Sequence, residues 1–187
     1  KREIQLVIKM TDDRLLRNEM SFRPEGSFVL LWGVLGAYNR SDFIESPGVF
    51  KPYDMDMQDY GVAGAPLVAR WVLKAAGVES RSTTRRMITS NAMALALSAV
   101  LVKTFKLSID ESRPDGKGED SFPSGHSSLA FVGATILHRE FGHHSPWISV
   151  GGYATATTAQ LLRLKHNRHW AHDTFIGAGI GVVSTNL

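Results

Sequence analysis

The chain has 187 residues, 43% of them hydrophobic, which is enough apolar material for one domain with a sizeable core. Its 21 Lys and Arg residues are nearly balanced by 18 Asp and Glu residues, so the surface is mixed and not the polycation expected of a protein that coats nucleic acid. The absence of cysteine excludes a disulfide framework and a thiolate metal site.

Apolar spacing in the first half of the chain predicts helices separated by a long loop. Thr11, followed by two aspartates, is typical of a helix start, and a second helix is predicted over about residues 27–38. Prolines and scattered charges indicate a surface loop over residues 39–58. The helical pattern then resumes near Val68 and continues to Gly77.

The second half contains the longest predicted helix. Thr83 or Thr84 is expected to cap it, and it places Lys106 at or near its end. The segment 112–125 is rich in Gly, Pro, Asp and Ser and is therefore predicted to be irregular.

Helical spacing returns after this segment and continues to the end of the chain. Helices are predicted to begin at about His126, to run over about residues 147–164, and to begin again at about Asp173. No segment shows sustained strand alternation. The fold prediction is an all-α bundle of about six to eight helices, formed by one domain over residues 1–187, with the functional site where helix ends meet.

The best apolar runs are all shorter than the roughly 20 residues that cross a bilayer. They cover residues 28–38, 93–102, 128–137 and 175–183. We therefore expect core helices and no transmembrane span, with peripheral membrane association as an open alternative.

Three separated blocks of polar residues carry the chemistry. In the first block, Lys106 is followed by Arg113-Pro114, and the proline fixes the backbone directly after the guanidinium. Two cations held in this way can bind one anion. The alternative is a pair of solvated loop cations.

The second block is Pro123-Ser124-Gly125-His126 at a predicted helix start. Unpaired N–H groups and the positive end of the helix dipole attract anions there, and Gly125 lets the backbone approach a phosphate closely. Ser124 adds a hydroxyl donor, and His126 can donate a proton. The alternative is a capped proline turn with an incidental histidine.

The third block consists of Arg163, His169 and Asp173. The carboxylate stands four residues after the histidine, so it can accept a hydrogen bond from one ring nitrogen and hold the other toward a substrate. A histidine held in this way is an activated nucleophile. The alternative is an ordinary i,i+4 pair on a helix surface.

The order and spacing of these blocks resemble the superfamily of type 2 phosphatidic acid phosphatases (PAP2), class A acid phosphatases and vanadium haloperoxidases. Its pattern is lysine, six residues, Arg-Pro; then Pro-Ser-Gly-His; then Ser-Arg, five residues, His, three residues, Asp. The motifs span residues 106–173 of this chain and depart from the pattern at one position, where Leu162 replaces the serine.

The resemblance implies a role for each matched position. His169 is the expected nucleophile that forms a phosphohistidine, and Asp173 orients it. His126 is expected to start protonated, to protonate the leaving group and then to activate water, which predicts a bell-shaped pH profile. The expected phosphate ligands are Lys106, Arg113, Ser124, Gly125 and Arg163. No metal is expected.

The function implied by the resemblance is a metal-independent phosphomonoesterase in the bacterial periplasm or cell envelope. Its substrate is a lipid phosphate or a soluble monoester, vanadate is an inhibitor, and no nucleic-acid partner is expected. One alternative is a haloperoxidase in which His169 ligates vanadate as cofactor. Another is a phosphate-binding protein without catalysis. The oligomeric state and the leaving group are not predicted.

Two further patterns favour ordinary structural roles. A run of aspartates ends at Asp59, in the place where a calcium loop needs glycine, so a calcium site is not predicted. Gly177, Gly179 and Gly181 lack the spacing of a dinucleotide-binding motif and instead predict close helix packing.

Overall fold

The computed structural model describes residues 57–187, and this part of the chain is helical. Its helices are α1 (Met57–Ala75), α2 (Thr84–Ser108), α3 (Gly125–Phe141), α4 (Pro146–Lys165) and α5 (Ala171–Asn186). The described residues form no named strand, which confirms the predicted all-α class. The helices predicted near Thr11 and over residues 27–38 lie outside the described residues, so five of the six to eight expected helices are described.

The start of α1 corrects one predicted boundary. The loop expected over residues 39–58 overlaps the helix by two residues, because α1 begins at Met57. Asp59 lies in the first turn, where a carboxylate is stabilised by the positive end of the helix dipole. The last two residues of the predicted loop therefore belong to the start of a helix.

The other helix starts follow the expected capping chemistry. Thr83, Ser124 and Ser145 precede α2, α3 and α4, and each side-chain oxygen accepts a hydrogen bond from a backbone N–H of the first turn. Side-chain capping of this kind satisfies N–H groups that have no partner within the helix. The predicted helix start at the second block is confirmed, and His126 is the second residue of α3.

Helix α3 forms the centre of the bundle and packs against each of the other four described helices. All residues from 127 to 137 except Leu129 are buried. Small side chains dominate the main core cluster, which comprises Ala63, Ala130, Phe131, Ala134, Ala156, Ala159, Ala178 and Val182. Such small residues let the helix axes approach closely.

Glycines allow the closest approach between α3 and α5. A Cβ atom at Gly177 would collide with the carbonyl oxygen of Ser124, and one at Gly181 would collide with that of Ser128. No atom lies within 4 Å of the corresponding position at Gly179. The prediction of close packing is confirmed for Gly177 and Gly181 and wrong for Gly179, which lies off the contact face.

Helix α2 exposes apolar side chains, although the apolar run over residues 93–102 was expected to belong to a core helix. Its buried positions include the polar residues Asn91 and Ser98, whereas Met93 and Val100 are 71% and 61% exposed. By length and composition α2 is apolar enough to cross a membrane, with a mean hydropathy of 1.4 in its best window, although soluble core helices also meet this criterion. The expectation of no transmembrane span considered only the apolar run over residues 93–102, which is a short part of this 25-residue helix.

Candidate active site

The three polar blocks lie at helix ends. Lys106 is in the last turn of α2 and Arg163 is in the last turn of α4. His126 stands in the first turn of α3, and Asp173 in the first turn of α5. A hydrogen bond from the backbone N–H of Ser124 to the carbonyl oxygen of Asp173, 3.0 Å long, joins the second block to the third.

His169 is held through its Nδ1 atom. The imidazole is 5% exposed, and Nδ1 lies 2.8 Å from the carbonyl oxygen of Ser121. Because a carbonyl only accepts hydrogen bonds, the proton is on Nδ1, which leaves the lone pair on Nε2 in the neutral ring. The Asp173 carboxylate lies 3.6 Å from Nδ1, at ion-pair distance. The direct hydrogen-bond acceptor is therefore Ser121, which the sequence did not single out.

Asp173 is fully buried and stays ionised. Burial alone would raise the pKa of this carboxyl, but the neighbouring His169 and His172 rings, the Ser121 hydroxyl and the backbone N–H of Trp170 hold its pKa well below the usual range. The Trp170 N–H donates to Oδ2 at 2.9 Å, so the same carboxylate also caps α5. The local charge beside His169 is thus permanent at physiological pH.

The protonation of His126 differs from expectation. Burial, with the positive charge of Arg163 and the nearby His169, lowers its pKa to about 4. The ring is therefore neutral at neutral pH in the protein alone, and the expectation that His126 starts protonated is wrong for that state. Its Nε2 atom is buried and forms no hydrogen bond with the residues that the structure describes.

Arg163 is a buried cation in which one guanidinium nitrogen is ion-paired and another has no hydrogen-bond partner among the described residues. Its side chain is 2% exposed, and Nη1 donates to Oδ2 of Asp59 at 2.7 Å. The Nε atom is buried and has no hydrogen-bond partner within residues 57–187. Asp59 was considered in the sequence only as part of a calcium loop, and its distance of 104 positions from Arg163 gave no signal of this contact.

The two cations of the first block both contact Asp120. The Nζ atom of Lys106 donates to the Asp120 backbone carbonyl, and Nε of Arg113 lies 2.9 Å from Asp120 Oδ1. The Asp120 side chain is 57% exposed, and an exposed ion pair contributes only about 0–1 kcal/mol. A phosphate oxygen can therefore replace this carboxylate on Arg113 at low cost.

At the second block, Ser124 acts as a buried helix cap. Its Oγ atom accepts hydrogen bonds from the backbone N–H of Ser127 at 3.4 Å and from the Ser127 hydroxyl at 3.1 Å. A Cβ atom at Gly125 would make only ordinary contact with Val102, at 3.7 Å. Packing within the protein therefore does not require glycine at Gly125, which is consistent with a role in close approach to a ligand.

The loop that carries Arg113 is fixed against the segment that carries His169. Three contacts join them: His169 Nδ1 to Ser121 O at 2.8 Å, Trp170 Nε1 to Ser112 O at 2.8 Å, and Arg168 Nη1 to Asp115 Oδ2 at 3.0 Å. These contacts keep the first and third blocks in a constant relative position.

One cluster has the atom types of a metal site. Ligand atoms of Glu111, His172 and Asp173 all lie within 4.8 Å of one another. The His172 Nε2 atom lies 2.8 Å from Glu111 Oε1 and 3.1 Å from Asp173 Oδ1, and the pKa of His172 is raised by its contact with Asp173 and further by Glu111. Because Nε2 lies within hydrogen-bond distance of both carboxylates, these contacts are those of a histidine that donates to its acidic neighbours.

Comparison with known proteins tests the family resemblance that the motifs indicate. Lipid A 1-phosphatase of Porphyromonas gingivalis is 40% identical over 123 residues, which cover 65% of this chain and 28% of that protein. The crystal structure of Aquifex aeolicus LpxE superposes with a TM-score of 0.50 over 98% of this chain and 92% of its own, and at 22% identity this shows a shared fold. The sequence profile of the PAP2 superfamily matches residues 88–187, more than half of the chain. The resemblance inferred from the motifs is thereby confirmed, and the chain belongs to the PAP2 superfamily.

Proposed function

We propose that this chain is a phosphatase that hydrolyses the phosphate ester of a lipid through a phosphohistidine intermediate, without a metal ion. The observation that carries the proposal is a pair of buried atoms at the site, Nε of Arg163 and Nε2 of His126, that form no hydrogen bond within the described residues. Burying unpaired polar atoms costs about 1–3 kcal/mol each. A phosphate ester with its non-bridging and leaving oxygens provides partners for both.

In the first step, His169 Nε2 attacks phosphorus. The P–N bond forms while the bond from phosphorus to the leaving oxygen breaks, and His126 gives its proton to that oxygen. Because His126 is neutral in the protein alone, it must take up this proton when the anionic substrate binds beside it. Arg163, Arg113 and Lys106 neutralise the charge on the non-bridging oxygens, as phosphoryl transfer requires.

In the second step, water attacks the phosphohistidine. His126 is now neutral and takes a proton from the water while the P–N bond breaks. Inorganic phosphate leaves, His126 releases this proton to solvent as the anion departs, and His169 returns to the neutral form with its proton on Nδ1. Asp173 stabilises the positive charge that develops on the His169 ring in both steps, because its carboxylate stays ionised and lies 3.6 Å from Nδ1.

The lipid substrate is supported by the relative that matches this chain. The Porphyromonas gingivalis protein is named a lipid A 1-phosphatase, and the 40% identity covers 65% of this chain. We infer a phosphorylated membrane lipid as substrate and the bacterial cell envelope as location. A soluble monoester is the alternative substrate, and a panel of lipid and soluble phosphates distinguishes the two.

His169→Ala tests the covalent step. We expect this variant to lose turnover and to trap no phosphoenzyme on rapid acid quench with ³²P-labelled substrate, while the wild type shows an acid-labile phosphohistidine. His143→Ala is the matched control, since His143 is an exposed histidine in the turn after α3, at the opposite end of that helix from His126. Wild-type turnover in His169→Ala would refute the assignment.

Three further measurements separate the proposal from the two alternative functions. Halide oxidation that depends on vanadate and peroxide, in a protein without phosphatase activity, would indicate a haloperoxidase. Phosphate binding without hydrolysis of any lipid or soluble ester would indicate a binding protein. Turnover that persists in the presence of a chelator and is inhibited by vanadate would support the proposal.

A further inference from the structure

The start of α1 contacts two of the three polar blocks. Oδ2 of Asp59 lies 2.7 Å from Nη1 of Arg163 and 3.1 Å from Nδ1 of His166. The ring of the next residue, Tyr60, lies 4.4 Å from the ring of His126, measured between centroids. Two successive residues of one helix therefore contact both the cation and the acid–base group of the site. Both residues lie outside the segment 88–187 that matches the family profile.

We propose that Asp59 is a positioning residue of this active site, which orients the Arg163 guanidinium toward the substrate phosphate. The proposal rests on the phosphatase function argued above. The guanidinium is planar, so fixing Nη1 against a carboxylate also fixes the direction of the Nε–H bond. That Nε is the buried donor without a hydrogen bond within the described residues.

Burial makes the contact energetically important. The side chains of Arg163 and Asp59 are 2% and 3% exposed, so water cannot replace either partner. Removing one member of a buried ion pair leaves an uncompensated charge, and the remaining group then reorients or recruits another partner. Loss of Asp59 should therefore disturb the geometry of Arg163 more than it disturbs the presence of positive charge at the site.

Tyr60 contributes to the same arrangement from the next position. Its ring covers one side of the His126 ring at a tilt of 54°, and burial is the largest cause of the lowered pKa of His126. The charge of Asp59 acts on His126 in the opposite direction and raises its pKa. The start of α1 thus affects both how Arg163 points and how readily His126 holds a proton.

A positioning role and a purely structural role predict different kinetics. If Asp59 orients Arg163 for the transition state, Asp59→Asn lowers kcat, while the inhibition constant of inorganic phosphate does not rise, because the site has become more positive. If Asp59 only stabilises the fold, kcat per folded molecule is unchanged. The proposal therefore predicts a loss in kcat without weaker phosphate binding.

A double-mutant cycle tests the proposal. We expect Asp59→Asn to lower kcat/KM for a lipid phosphate by roughly 10²-fold in the wild-type background and by less than about threefold in the Arg163→Ala background. The non-additivity arises because the positioning effect of Asp59 is lost with Arg163, and the remaining loss reflects the direct effect of the Asp59 charge on His126. An equal loss in both backgrounds would overturn the proposal, provided that the wild type hydrolyses the substrate; an inactive wild type would instead refute the phosphatase function.

A matched control checks the specificity of the cycle, and a second variant covers the case in which Asp59→Asn does not fold. Asp115→Asn removes another buried carboxylate, whose partner is Arg168 at 3.0 Å. We expect any loss in kcat/KM that it causes to be the same in the wild-type and Arg163→Ala backgrounds. If Asp59→Asn does not fold, as judged by circular dichroism and thermal unfolding, Asp59→Glu keeps the charge but shifts the carboxylate by one methylene. We expect Asp59→Glu to fold with kcat reduced at least tenfold, and wild-type kcat in this variant would overturn the proposal.

Discussion

At the scale of single residues, the site depends on opposing effects on two histidines. Burial lowers the pKa of His169, and Asp173 partly offsets this by favouring the charged ring. The Nε2 atom of His126 forms no hydrogen bond within the described residues, and burial with Arg163 lowers the pKa of this ring to about 4. In the proposed mechanism, the His169 ring becomes positive when it attacks phosphorus, and His126 acquires its proton only with the substrate.

This difference predicts separate pH profiles for the two kinetic parameters. The profile of kcat/KM reports the free enzyme, in which the pKa of His126 is about 4. We therefore expect kcat/KM to fall as the pH rises above this value, because His126 then loses the proton that the first step needs. The profile of kcat reports the bound state, in which the substrate dianion raises the pKa of His126 and moves the alkaline limb to higher pH. Steady-state kinetics from pH 4 to 9 measure both limbs.

His126→Asn provides the control for this assignment. The variant should lose the alkaline limb of the kcat profile and keep the acid limb, which is set by protonation of His169. An identical alkaline limb in the variant and the wild type would assign that limb to another group.

The sequence predicted residues whose side chains stand at a fixed spacing. It missed residues that reach the site through a backbone group or only through tertiary packing. His169 and Asp173 stand four positions apart, so their proximity follows from helical geometry alone. Ser121 acts through its backbone carbonyl, which carries no residue-specific signal. Asp59 meets Arg163 only because α1 packs beside α3 and α4, a tertiary contact that periodicity does not encode.

At the scale of helices, the crossing of α3 and α5 sets the position of Asp173. Gly177 lies one turn after Asp173 and rests directly against the Ser124 carbonyl at the start of α3. The same two segments are joined by the hydrogen bond from Ser124 N to Asp173 O. A change in this crossing therefore moves the orienting carboxylate relative to the second block.

Gly177→Ala is expected to reduce both stability and activity. Overpacking a close contact costs about 1–3 kcal/mol, and a displacement of about 1 Å at a catalytic group can cost on the order of 10²-fold in rate. Gly179→Ala is the matched control in the same helix, where no atom lies within 4 Å of the added methyl group. Since alanine is favoured over glycine in helices by about 1 kcal/mol, this control should be neutral or stabilised. Denaturant unfolding and kcat measure both effects, and equal behaviour of the two variants would contradict the crossing as the cause.

Helix faces were harder to predict than helix positions. The cap at Thr83 and the long apolar composition located α2 correctly, because capping and propensity are local. Which face is buried depends on the neighbouring helices, and the structure buries Asn91 and Ser98 while it exposes Met93 and Val100. An apolar count along the sequence therefore indicates that a helix forms, and leaves open which of its sides meets the core.

At the scale of the whole molecule, the site joins segments that are far apart in the chain. The proposed phosphate ligands come from the end of α2 and the loop after it, the start of α3 and the end of α4, and these are adjacent only in the folded state. A ligand that binds all three binds the folded protein alone and stabilises it by RT ln(1 + [L]/Kd). Phosphate or vanadate should therefore raise the thermal midpoint of the whole bundle.

The expected size of this stabilisation separates site binding from a general salt effect. At 100 times Kd it amounts to about 2.7 kcal/mol, which corresponds to roughly 5–10 °C in Tm for a protein of this size. Arg163→Ala should show a clearly smaller shift at the same vanadate concentration, because it loses the buried donor at Nε. Salts also change the stability of folded proteins without entering a site, so potassium chloride at equal ionic strength, which lacks a tetrahedral oxyanion, is the second control. Equal shifts in the wild type and in Arg163→Ala would show that the anion acts on the general surface, whereas a shift that requires Arg163 ties the stability of the bundle to the same guanidinium that the chemistry uses.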